Sequence, residues 1–283
     1  MKKVVYIDRR SKAVKVEEVY GKWVIDLLYG RRWLGIFRPV IAKIPLFSKM
    51  YGALQKTFFS KRKIIPFIQK FQIDMTEFET KNFNSFNDFF IRKLKSECRE
   101  ISNSDAVLPA DGRYRIFENS TQFVIKGKVF DAETLIGRKG CRGPIVIGRL
   151  APVDYHRFHF PVDGVVKETV LMNGPLYSVN PVAVFHNLAV LTENKRMVTE
   201  IDTEAFGKVF MVEVGATYVG SIVQTYQSGS IKRGEEKGYF EFGGSCVILL
   251  FEEDRITFDT DLFFGLEVYA RMGESLGQIK QRK

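Results

Sequence analysis

From about residue 100 to its end, this 283-residue chain is written as short β-type runs cut by glycine turns, and that cadence constrains the fold more than any other feature. The runs cover residues 112–117, 122–125, 144–147, 164–170, 209–214, 221–224 and 246–251. Each is short, rich in β-branched and aromatic residues, and bounded by turn formers, which is the signature of strands. Strands at this spacing predict a barrel or sandwich core. The front of the chain has another texture. Residues 1–26 read as a small hairpin with a polar turn at Asp8-Arg9-Arg10-Ser11. Residues 27–95 read as helical, with start signals at Thr76-Glu77-Phe78 and at Ser85-Phe86-Asn87-Asp88, where Ser85 is the N-cap and Asp88 the first-turn acid. The expected class is α+β: an N-terminal hairpin and amphipathic helical region over residues 1–95, and a β-rich barrel or sandwich core over residues 96–283.

The net charge of +10 is concentrated in one place. Residues 27–73 hold ten basic side chains and no Asp or Glu, so this stretch accounts for the whole excess. It also carries Trp33, Phe37, Phe47, Tyr51, Phe58, Phe59, Phe67 and Phe71. Phe47, Met50, Tyr51, Leu54 and Phe58 share one helical face by three-and-four spacing. Charges and Pro39, Pro45 and Pro66 interrupt every apolar run well short of the ~20 residues that a membrane span requires. Aromatics to insert and lysines to meet anionic headgroups describe a helix lying in the membrane plane. The plainer alternative is an amphipathic helix packed on a core with its basic face in water. A nucleic-acid partner is disfavoured, because no recognition motif accompanies the charge.

Three cysteines, Cys98, Cys141 and Cys246, are odd in number and far apart, which argues against a disulfide framework and for a reducing compartment. With three histidines and no Cys-x-x-Cys pair, a structural zinc site is disfavoured.

Chemistry concentrates at Phe242-Gly243-Gly244-Ser245-Cys246, where a small nucleophile follows two glycines and opens an apolar run. Glycine has no Cβ, so Gly244 can take strained angles and admit a hydroxyl to its own carbonyl. Attack by Ser245 on that carbonyl would cut the chain at itself, and such a cut can convert the serine into a pyruvoyl group. The bland reading is a turn or bulge before a strand. Two histidines, His156 and His159, lie in Asp154-Tyr155-His156-Arg157-Phe158-His159-Phe160-Pro161; Pro161 bars a long helix, so one turn leading into a strand is expected. Histidine titrates near neutrality and suits proton transfer, although spacing alone does not divide the work between the two. Asp111 lies in Pro109-Ala110-Asp111-Gly112, a common turn sequence. Aspartate, histidine and serine together could serve as orienter, base and nucleophile.

Five motifs in register carry a resemblance: Pro109-Ala110-Asp111-Gly112, Asp154-Tyr155-His156-Arg157-Phe158-His159, Gly174-Pro175-Leu176-Tyr177-Ser178-Val179-Asn180-Pro181, the stretch from Val214 to Ile222, and Phe242-Gly243-Gly244-Ser245. Together they resemble the phosphatidylserine decarboxylase proenzyme family, over about residues 89–251. That resemblance implies cleavage between Gly244 and Ser245 into a large chain, 1–244, and a small chain, 245–283. It implies a covalent pyruvoyl cofactor derived from Ser245, and conversion of phosphatidylserine to phosphatidylethanolamine and CO2 through a Schiff base. It further implies that Asp111 orients His159, that His159 deprotonates Ser245, that His156 is the acid in decarboxylation, and that Ser178 lies near the substrate carboxylate. No metal is implied. The commonest family pattern at the cut is Leu-Gly-Ser-Thr; Gly243 and Cys246 depart from it, and the thiol offers a competing acyl shift. The basic segment resembles the family's membrane-binding helices. The expected place is peripheral, on an anionic membrane surface at the cytoplasmic face of a bacterial inner membrane, with organellar origin left open. The sequence leaves the oligomeric state open, a homodimer included.

Overall fold

The computed structural model describes residues 4–18, 52–117, 122–125, 128–139, 141–176, 189–215, 221–227, 229–243, 245–263 and 265–281. The chain begins with β1 (Val5–Asp8) and β2 (Val14–Val16), the expected hairpin. Two short helices follow, α1 (Ile64–Phe71) and α2 (Phe86–Phe90). The body then runs β3 (Ala106–Val107), β4 (Gly112–Phe117), β5 (Gln122–Ile125), β6 (Lys128–Asp131), α3 (Ala132–Ile136), β7 (Ile145–Leu150), β8 (Arg157–His159) and β9 (Gly164–Met172). After α4 (Ala189–Glu193) come β10 (Arg196–Thr203), β11 (Gly207–Gly215), β12 (Ile222–Gln224), β13 (Ser230–Ile231) and β14 (Glu236–Phe240). The last strands are β15 (Ser245–Phe251), β16 (Ile256–Phe258), β17 (Glu267–Ala270) and β18 (Ser275–Ile279).

Ten strands form one sheet in the order β13-β9-β10-β11-β15-β7-β4-β17-β1-β2. All its pairs are antiparallel except β1 with β17. The class is α+β and β-rich as expected, but the described residues form no closed barrel. Closure needs the first and last strands to pair, and here β13 and β2 stand at opposite ends. The β2 edge is exposed, and Lys15 on it discourages pairing with another chain.

The sheet has two apolar faces. Along β15 the residues alternate: Val247, Leu249 and Phe251 enter one core, Cys246, Ile248 and Leu250 the other. The first core is closed by two three-stranded sheets, β12-β14-β8 and β16-β18-β3, through Phe158, Phe240, Phe258 and Leu276. The second is covered by α3 and α4, through Leu135, Ile136 and Leu191. Burial on both faces explains why β15 is apolar at every position from Cys246 onward. Each large side chain buried there is worth roughly 1.5–3 kcal/mol. Gly148 of β7 is fixed by packing: a Cβ there would lie 2.5 Å from the Tyr114 ring.

Within the helical region, the described residues carry helical residues at 52–55, α1, α2 and several 3-10 turns. Pro66 is tolerated in the first turn of α1, where an N–H has no partner to lose. Ser85 caps α2 as expected, its hydroxyl accepting from Asp88 N–H at 3.1 Å. Ile64 and Phe67 of α1 pack on Phe83, Phe86, Phe89, Phe90 and Phe242 in a separate aromatic core. On the outside, Phe58 and Phe59 are 71% and 75% exposed, beside Lys61, Arg62 and Lys63. Most of the expected amphipathic face, Phe47, Met50 and Tyr51, lies outside the described residues. Among the described residues, no helix is long and apolar enough to cross a membrane.

Candidate active site

Ser245 is the first residue of β15 and is locked from both sides, opposite Gly215 of β11 and Leu150 of β7. Its side chain belongs with Val247 on the first-core face. It is fully buried, and its Oγ has no hydrogen-bond partner among the described residues. An unpartnered buried hydroxyl is costly and marks a position kept for something other than stability. Gly243 has φ of +148°, a conformation that L side chains rarely adopt. Gly243 therefore lets the chain bend shortly before the strand. Gly244 itself lies outside the described residues, as does Ser178. Cys246 points to the opposite face, into the second core, and burial pushes its thiol up to about 12.

The strand opposite Ser245 ends at Leu150, and the chain turns at once. Asp154 closes this turn: its carboxylate accepts from Ala151 N–H at 2.6 Å, and its own N–H donates to Ala151 O at 2.9 Å. Arg113 pairs with the same carboxylate. Arg92, sandwiched between the rings of Phe78 and Phe89, donates to the carbonyls of Val153 at 3.0 Å and Asp154 at 3.1 Å. His156 Nδ1 lies 3.0 Å from that Asp154 carbonyl. A carbonyl only accepts, so Nδ1 carries the proton and Nε2 presents a lone pair. That Nε2 is buried and unpartnered, like Ser245 Oγ. The imidazole stacks on Phe90, with ring centroids 3.8 Å apart. Burial first, then the nearby Arg92 and Arg113 charges, holds His156 down to about 3, so it is neutral at physiological pH.

The expected turn-then-strand at the two histidines is present, and strand alternation sends Phe158 and Phe160 into the first core while His159 faces elsewhere. His159 N–H donates to Pro109 O at 2.8 Å, which lays this strand against the Pro109-Ala110-Asp111 turn. His159 Nδ1 is 2.9 Å from Gly234 O and therefore protonated; Nε2 accepts from Tyr155 O–H at 3.2 Å. Burial lowers its pKa, while Asp111 and Glu236 favour the charged form. Asp111 is held by Arg99 Nη2 at 3.2 Å and by Met272 N–H at 2.8 Å. No hydrogen bond joins Asp111 to His159 among the described residues; the carboxylate reaches the imidazole through its field.

Several residues around the site escape sequence reasoning. Arg92 and Asn87 sit in an aromatic run that reads as helix packing, and only the presence of polar residues inside it hints at a buried duty. Glu213 and Lys237 form an ion pair 2.9 Å long with both side chains fully buried, and Gln224 bonds to each. Glu213 opposes Val247 and so lies on the Ser245 face, one alternation further along.

The chain thus holds a buried serine behind a glycine pair in its sequence, and two buried histidines whose pKa values are lowered by burial. The family model for phosphatidylserine decarboxylase matches residues 86–278. The chain is 44% identical to the phosphatidylserine decarboxylase proenzyme of Chlamydia felis (strain Fe/C-56), over 98% of this chain and 99% of that one. It is 41% identical to the protein of that name from Chlamydia pneumoniae, over 100% of both chains. The corresponding figure for Chlamydia muridarum (strain MoPn / Nigg) is 43%, over 96% of each. The chain belongs to the phosphatidylserine decarboxylase family.

Proposed function

We propose that this chain is a self-processing proenzyme that cuts itself between Gly244 and Ser245 and then decarboxylates phosphatidylserine to phosphatidylethanolamine. The observation that carries this reading is the buried, unpartnered Ser245 Oγ at the head of a strand locked on both sides, directly after a glycine pair. Ser245 Oγ attacks the Gly244 carbonyl and the amide becomes an ester. Loss of the Ser245 Cα proton then breaks the Cβ–Oγ bond and expels residues 1–244 as a carboxylate-ended chain. The dehydroalanine left at 245 tautomerises to an imine, and water converts it to pyruvoyl with release of ammonia.

The residues present suit such a group, because the buried Ser245 Oγ and His156 Nε2 leave polar capacity that no atom of the described residues uses. The pyruvoyl group supplies a ketone for the substrate amine and an acceptor for the electron pair left by CO2. His159 is the base toward Ser245, with Asp111 stabilising its protonated form; Nε2 must leave Tyr155 to act. His156 is the acid that returns a proton to the substrate carbon. With Nδ1 fixed on the Asp154 carbonyl, Nε2 is the site of transfer: at rest it holds a lone pair, so it first accepts the proton that the substrate ammonium gives up and then delivers it to the substrate carbon. Ser178 is assigned to the substrate carboxylate.

The exposed Phe58 and Phe59, with the basic side chains beside them, form part of a surface that docks on anionic lipid. Each cation near such a surface contributes about 1 kcal/mol, weakened by salt. The enzyme is then peripheral, at the cytoplasmic face of a bacterial inner membrane. Intact mass of the purified protein tests the reading. Two chains are expected, the smaller beginning with a pyruvoyl group in place of serine, and Ser245→Ala should leave one chain without activity. An active protein with residue 245 still serine in one continuous chain would overturn it.

A further inference from the structure

The two sides of the scissile bond are held by different parts of the molecule. On the amine side, β15 is paired with β11 and β7 from Ser245 onward. On the carbonyl side, the chain leaves β14 at Phe240 and has four residues before the strand begins. Attachments to distant parts of the chain hold that segment. Glu241 N–H donates to Ser221 O at 3.2 Å, and its carboxylate meets Lys56 Nζ at 2.6 Å on the outside. Phe242 packs its ring against Phe86 and Phe90, with centroids 5.2 and 5.0 Å apart. Its N–H donates to Asn87 Oδ1 at 2.9 Å, across 155 positions of sequence.

Asn87 sits in α2, where the other buried residues are Phe86, Phe89 and Phe90. A buried amide in such company is costly unless it is hydrogen-bonded, and a leucine would pack there more cheaply. We infer that Asn87 is a positioning residue for self-cleavage: by clamping the Phe242 N–H it fixes the segment that presents the Gly244 carbonyl to Ser245 Oγ. Asn87 touches neither reacting group and acts through Phe242. Intramolecular attack depends steeply on geometry, and a misplacement of about 1 Å costs roughly 100-fold in rate. The inference rests on the self-cleavage reading above.

The test follows the appearance of the 245–283 chain from freshly synthesised full-length precursor. Asn87→Leu, close in shape but without an acceptor, is expected to slow cleavage by roughly 100-fold. Asn87→Asp keeps an acceptor oxygen in the same place and should stay within about 10-fold of wild type. Asn87→Ala removes the acceptor without adding bulk and should be as slow as Asn87→Leu. Melting temperatures of the same substitutions in an uncleavable Ser245→Ala background separate positioning from folding. A purely structural asparagine would lower the melting temperature and leave the cleavage rate alone. Wild-type cleavage by folded Asn87→Ala, or equal slowing by the Asp and Ala variants, overturns the inference. Failure of the wild-type precursor to cleave would instead defeat the self-cleavage reading itself.

Discussion

At the residue scale, the neighbours Ser245 and Cys246 show how strand alternation separates chemistry from packing. They are adjacent in sequence and carry related nucleophiles, yet they face opposite cores. Ser245 keeps an oxygen without a partner among the described residues on the first-core face, while Cys246 is a small apolar filler of the second core whose pKa is raised by burial. A thiolate is the reactive form of cysteine, so the competing acyl shift that the sequence offers is denied by direction and by ionisation. Cys246→Ala is therefore expected to cleave within about twofold of wild type, with a stability loss on the order of 1 kcal/mol for the small cavity. Native protein should resist iodoacetamide at this position, as read by peptide mass. Rapid alkylation of folded precursor at Cys246 would contradict the assigned face.

At the element scale, α1 and α2 connect a surface to a site. The inner face of α1 packs on Phe86 and Phe89, and these continue through Phe90 to the His156 ring and through Phe242 to the cleavage segment. The turn before α1 carries Phe58 and Phe59 outward. Fully burying a phenylalanine is worth roughly 1.5–3 kcal/mol. The double substitution Phe58→Glu with Phe59→Glu is therefore expected to weaken binding to vesicles containing phosphatidylserine by at least ~10-fold. Sedimentation with vesicles at two salt concentrations measures this, and binding should also fall as salt rises. Activity on a detergent-dispersed short-chain substrate should be retained. Unchanged vesicle binding would leave these two side chains without the proposed role.

At the scale of the whole molecule, buried neutral histidines couple stability to pH. His156 has a folded pKa of about 3, below the ordinary value of 6.5, so the unfolded chain binds the proton more readily. Its contribution is fully present above pH 6.5 and is lost as pH falls toward 3. His159 is shifted in the same direction by burial. Asp154 opposes them in part: burial raises it to about 6, so its contribution is fully present below its ordinary 3.8 and is lost as pH rises toward 6. The melting temperature of Ser245→Ala precursor should fall between pH 7 and pH 4. Adding His156→Gln should flatten the slope, and an unaltered slope would show that His156 does not titrate with unfolding.

Much of this molecule is written locally. Runs such as 112–117, 122–125 and 246–251 declare themselves as strands because β-branched and aromatic residues alternate or cluster between turns. Ser85 declares its cap because a hydroxyl three residues before an acid satisfies a helix end. The strands that escape, among them β10 and β14, carry ionic side chains such as Arg196, Glu200 and Lys237, whose burial depends on partners far away in sequence. Closure into a barrel was equally beyond local reading, because only the pairing order decides whether β13 and β2 meet. The candidate residues were legible by type and motif, but their circumstances were not. That Ser245 Oγ and His156 Nε2 lack partners, that Tyr155 occupies His159, and that Asn87 holds Phe242 all depend on long-range packing. Sequence alone set the strand cadence, the nucleophile behind its glycines and the place of the excess charge, since these follow from short-range stereochemistry and composition. Tertiary structure decided which face each side chain takes and which polar atoms stay unsatisfied, because both depend on register between strands distant along the chain.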